Sequence, residues 1–145
     1  MSLKTLSDVI SPLKHYGAAL EKTVKEFHHK IYEEWKTRNT DNNIVIVGLD
    51  RMSNLEVLVP MLKLKLSSKT RLVFIDKDLY SETEFYSHND DKDISIIKMY
   101  MNTTDYLTFN HPSEEGYDTD YAQNLEWSVL SKVLIAASEK GLISL

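Results

Sequence analysis

A three-layer α/β domain with a mostly parallel core sheet is the fold this sequence predicts, and three observations predict it. Residues 44–47 (Ile-Val-Ile-Val) and 72–75 (Leu-Val-Phe-Ile) are apolar on both faces, as strands covered by helices on both sides are. Between them Leu55, Leu58, Val59, Leu62 and Leu66 recur at helical spacing, so the stretch reads as strand, helix, parallel strand. Amphipathic patterns at the two ends predict a long N-terminal helix and a C-terminal helix, and a hairpin pattern near residue 100 predicts an antiparallel edge.

The first element is a short amphipathic stretch over 2–10, followed by Ser11-Pro12 as an N-cap with proline at the first helical position. Leu13, Tyr16, Leu20, Val24, Phe27, Ile31 and Trp35 then form one apolar stripe on a helix over 13–38, weakened at Gly17. The charges elsewhere on that helix place the stripe against the domain's own core, with a second copy or a protein partner as the alternative. For the central connection Ser53 and Glu56 match a capping box, but Pro60 costs a helix interior about 3 kcal/mol. Leu62, Leu64 and Leu66 also alternate with Lys63 and Lys65, so a hairpin turning at 67–70 stays open.

Residues 77–92 are polar and acidic and read as a long loop or a short helix with a loop. Ile94, Ile96, Ile97, Met99 and Met101 mark a strand, 102–105 a turn, and 106–109 the returning strand of the edge hairpin. A second loop covers 110–119. Thr119 or Asp120 is the expected cap of a final helix with Leu125, Val129, Leu130, Val133, Leu134 and Ala137 on its apolar face and Gly141 at its C′ position, and 142–145 is apolar enough for a last strand.

Composition bounds the chemistry. The 145 residues make one domain, 1–145, able to bury roughly two-thirds of its unfolded surface without staples. The absence of cysteine removes disulfides, iron–sulfur clusters, thiolate zinc sites and cysteine nucleophiles. No apolar run reaches membrane-spanning length, and the start at Met1-Ser2-Leu3-Lys4 has no signal-peptide core, so a cytoplasmic location is the expectation. A net charge of −5 argues against nucleic acid as a partner, and the cluster Lys63, Lys65, Lys69, Arg71 reads as a solvated face.

Both predicted central strands end in acids, at Gly48-Leu49-Asp50 and Asp76-Lys77-Asp78. Parallel sheets bind ligands beyond the carboxyl ends of their strands, which makes Gly48, Asp50 and Asp76 the candidate cofactor-binding residues. The stretch 48–53 has one glycine where the dinucleotide fingerprint has three, and is neither a P-loop nor a nucleophile elbow. It resembles the first half of Rossmann-like S-adenosylmethionine methyltransferases, which implies a Rossmann-like domain and S-adenosylmethionine or a nucleotide as ligand. The Asp76-x-Asp78 pair resembles the metal-binding acids of nucleotide-sugar transferases and of aspartate-nucleophile phosphatases, which implies magnesium held by Asp76 and Asp78, although Tyr80 departs from the phosphatase pattern.

The histidines His15, His28, His29, His88 and His111 lack zinc spacing, with His88 and His111 placed where two loops meet over the strand ends. The functional expectation is a small domain binding a nucleotide or nucleoside-like ligand at the strand ends, with transferase chemistry. The alternatives are a noncatalytic interaction or regulatory subunit and magnesium-dependent phosphoryl or glycosyl transfer through Asp76 and Asp78.

Overall fold

The computed structural model describes residues 5–89 and 91–143. It shows seven strands in a single curled sheet in the order β1-β2-β3-β4-β5-β6-β7, each antiparallel to the next, with the long helices on one face. The expected three-layer, mostly parallel, Rossmann-like fold is therefore corrected to a two-layer antiparallel half-barrel.

The chain enters through α1 (Leu6–Pro12), opened by a capping box in which Thr5 Oγ1 accepts from the Asp8 N–H and Asp8 Oδ2 accepts from the Thr5 N–H. Pro12 does not start the helix as expected but ends its first segment. It has no N–H to donate to residue 8, and the chain passes through a π-helical turn at Leu13–Gly17 before α2 (Ala18–Arg38). From Leu20 onward the predicted stripe faces the chain's own core, with Leu20, Val24, Phe27, Ile31 and Trp35 all buried, whereas Leu13 and Tyr16 at its start are exposed.

The central correction concerns 55–75. Leu55, Val57 and Val59 also alternate at period two, and that period wins: β1 (Ile46–Leu49) pairs with β2 (Leu55–Val59), not with residues 72–75. Pro60 opens a 3-10 turn, Pro60–Leu62, closed by Lys63 in the left-handed region, so the proline makes a corner where a helix would have suffered a kink. Leu64, Leu66 and Leu72 then lie on one continuous strand, β3 (Leu64–Ile75), and 67–70 is strand where a turn was expected.

The polar stretch after it is no loop. Asp76 and Lys77, both at positive φ, form a two-residue hairpin turn into β4 (Asp78–Asn89), which pairs with β3 over nine residue pairs. Ser81, Thr83 and Ser87 occupy buried positions of β4, so the inward row carries hydroxyls and hydropathy shows no alternation. β5 (Lys92–Met101) and β6 (Tyr106–Phe109) form the expected edge hairpin, extended by β7 (Tyr117–Asp118).

The last helix, α3 (Leu125–Glu139), begins after Asn124, five residues beyond the expected cap at Thr119. It ends as expected, with Gly141 at φ 78, its N–H on the Ser138 carbonyl and the Leu142 N–H on that of Ala137. Residues 142 and 143 are not strand, and 144 and 145 of the expected last strand lie outside the described residues. Among the described residues no helix is long and apolar enough to cross a membrane.

Candidate functional site

The sequence-predicted site residues are dispersed by this topology. Gly48 lies within β1 opposite Glu56, with open space where a Cβ would stand. Asp50 shapes the β1–β2 turn: its Oδ1 accepts the N–H groups of Met52 (2.8 Å) and Asn54 (3.0 Å). Asp76 and Asp78 sit at the exposed tip of the β3–β4 hairpin, where burial and these two charges together push the Tyr80 phenol up.

Ser68 touches the carbonyl of Leu55, and eight residues of strand separate it from Asp76, a rise of about 26 Å, so Asp50 and Asp76 do not meet. Among the described residues no three His, Asp or Glu side chains converge as metal ligands, and Asp76 and Asp78 remain a pair. His88 Nδ1 pairs with Asp93 (2.7 Å) and His111 with Ser113, each within its own hairpin or loop.

A different group of side chains does converge. A cleft of about 350 Å3 opens between α2, the β1–β2 turn and β3, lined by Glu21, Val24, Lys25 and His28, by Met52 and Asn54, and by Thr70, Arg71 and Leu72. His28 is one helical turn beyond Val24 on the buried stripe and is 1% exposed.

Its protonation follows from its partners. The Ser53 carbonyl, 2.8 Å from Nδ1, can only accept, so Nδ1 carries the hydrogen and Nε2 is the acceptor. Thr83 Oγ1 donates to Nε2 at 3.3 Å, and Thr70 Oγ1 donates to Thr83 Oγ1 at 3.0 Å. The chain of bonds thus runs Thr70 to Thr83 to His28 to Ser53. Burial lowers the pKa of His28 to about 4, against the opposing effect of the Ser53 bond, so the imidazole is neutral at pH 7. Thr70, half-exposed in the cleft wall, presents its hydroxyl oxygen as an acceptor with a fixed direction.

The charges around the cleft are unequal. Arg71 reaches the outer face of the sheet, where its Nε donates to Glu82 Oε1 (3.1 Å) while Tyr100 donates to Oε2 (3.0 Å). Burial and that carboxylate push the Tyr100 phenol up to about 12, which keeps it a donor at every physiological pH. Lys25 and Glu21 stand exposed on the α2 rim of the cleft.

Sequence reasoning missed this site for identifiable reasons. His28 was visible as a lone polar residue within an apolar stripe, but Thr70 lay in a stretch with turn composition and Thr83 in one with loop composition. No protein-family model, curated protein or solved structure matches the chain.

Proposed function

We propose that this domain binds a small nucleoside- or nucleotide-like ligand in the cleft between α2 and β3. The carrying observation is the Thr70 hydroxyl, aimed into the cleft by the Thr83–His28–Ser53 chain of hydrogen bonds. A volume of about 350 Å3 is within the range of small-molecule sites. Val24, Met52 and Leu72 supply apolar walls for a planar base, Thr70 and Asn54 supply acceptors and donors for its edge, and Lys25 and Glu21 suit a phosphate and sugar hydroxyls respectively.

Binding is favoured over catalysis by the histidine itself. A base with a pKa of about 4 is a weak proton acceptor at neutral pH, and both of its nitrogens are already engaged.

The test is a thermal-shift and calorimetric screen of nucleosides, nucleoside monophosphates and S-adenosylmethionine, with and without magnesium, on the protein and on Thr70→Val and Asp76→Asn. A ligand at 100 times its Kd adds about 2.7 kcal/mol of stability. The expected outcome is a hit that Thr70→Val loses and Asp76→Asn keeps. No stabilisation at millimolar ligand, or a hit that survives Thr70→Val, overturns the reading.

A further inference from the structure

The cleft touches β3 at Thr70, Arg71 and Leu72, but the strand runs on to Ile75. β2 pairs with it only at Leu64, Lys65 and Leu66; from Ser67 onward its one strand neighbour among the described residues is β4. Alternate residues of a strand turn their N–H and C=O groups to opposite edges, so this part of β3 offers a row of donors and acceptors to an open side. Natural edges are blunted by charge, proline or a bulge; here residues 72–75 are Leu-Val-Phe-Ile, all half-buried.

The adjoining helix carries the same mark. Gly17 packs on β3, its ideal Cβ position lying 3.6 Å from Leu72 Cδ1. The helical face that continues from Gly17 toward the N-terminus becomes steadily barer: Leu13 is 38%, Ile10 50% and Leu6 72% exposed.

We infer that an extended segment of a partner protein adds to β3 along residues 69–75, with apolar side chains on the helix side and acidic ones opposite Lys69 and Arg71. The open backbone edge calls for an extended chain, which forms the missing ladder. Leu72 and Phe74 pack against the core on the helix side, so the row opposite them is apolar. Lys69 and Arg71 stand on the outer face, across from Glu84 and Glu82, so the row opposite them is acidic. A second copy of this chain fits less well: two-fold pairing of β3 with itself sets the outer row of Lys69, Arg71, Val73 and Ile75 against its own cations and supplies no acid.

The experiment uses the full chain and a capped peptide of alternating valine and glutamate, about nine residues long to span roughly 30 Å of strand. Amide hydrogen exchange at Leu72 and Phe74, whose N–H groups face the open edge, is followed with this peptide, with a block-scrambled peptide of the same composition, and with its two alternate N-methylation patterns. The expected result is about tenfold slower exchange with the alternating peptide, lost with one N-methylation pattern and kept with the other, because only one edge of an added strand pairs. The double variant Leu72→Lys, Phe74→Lys loses the effect, and far-ultraviolet circular dichroism establishes that it is folded. Unchanged exchange at saturating peptide, equal protection by the scrambled peptide, or indifference to both N-methylation patterns overturns the inference. So does protection that grows with protein concentration alone, which assigns the edge to a second copy. Thr70→Val leaves this effect in place while abolishing nucleoside binding, so the two readings fail separately.

Discussion

At the scale of single residues, burial acts in opposite senses on a base and an acid, His28 and Glu34. His28 has its pKa lowered from 6.5 to about 4 by burial, so between those values the unfolded chain binds the proton and the native state does not. Stability therefore falls as pH drops through that window, by about 3 kcal/mol in all at 1.36 kcal/mol per unit. Urea unfolding of wild type and His28→Gln at pH 7 and pH 4 is expected to show the wild type's advantage shrinking by about that amount.

Glu126 is 2% exposed and its Oε2 has no hydrogen-bond partner, while burial and a hydrogen bond to Glu126 raise the pKa of Glu34. An acid raised in the native state stabilises when protonated, so its cost appears as pH rises through the folded pKa. Glu126→Gln is expected to be more stable than wild type at pH 7 by about 1–3 kcal/mol, the penalty of an unsatisfied buried group. Thermal melts of the two proteins at pH 7 check it.

At the scale of elements, legibility followed the match between hydropathy period and burial. α2, α3, the Gly141 stop and the β5–β6 hairpin could be read because each shows one clean period. β2 is hard to read because Leu55, Leu58, Val59, Leu62 and Leu66 also satisfy a helical period, against which Pro60 is the one opposing signal. β4 is illegible because its inward row is Ser81, Thr83, Phe85 and Ser87, in which buried hydroxyls stand where apolar side chains would alternate and Thr83 bonds to His28. The same hydroxyls hide the candidate site, while Asp50 and Asp76 are turn residues after two well-separated strand ends and Asp78 opens β4.

The turn between β6 and β7 was equally opaque, although one residue in it is indispensable. A Cβ on Gly116 would stand 1.9 Å from the carbonyl oxygen of Leu107, which is backbone and has no room to retreat. Gly116→Ala is expected to destabilise the protein by about 2–4 kcal/mol through displacement of β7, measured as a lower urea midpoint with an unchanged slope.

At the scale of the whole molecule, every strand pairs with its neighbour in sequence, yet the sheet is not equally joined throughout. β3 and β4 share nine residue pairs and β4 and β5 another nine, but β2 meets β3 through only three, next to the corner at Pro60–Leu62. The β1–β2 hairpin is thus a leaf on a narrow hinge. It is fastened at its free margins by the His28 bond to Ser53, the Ser68 hydroxyl on Leu55 and the Trp35 indole on Val45. Two of those three fasteners come from α2, so the helix that roofs the cleft is also the latch on its movable wall. Amides of β1 and β2 are expected to exchange by a lower-energy opening than those of β4, and Trp35→Phe, which removes one fastener without touching the cleft, to speed exchange in the leaf while leaving β4 unchanged.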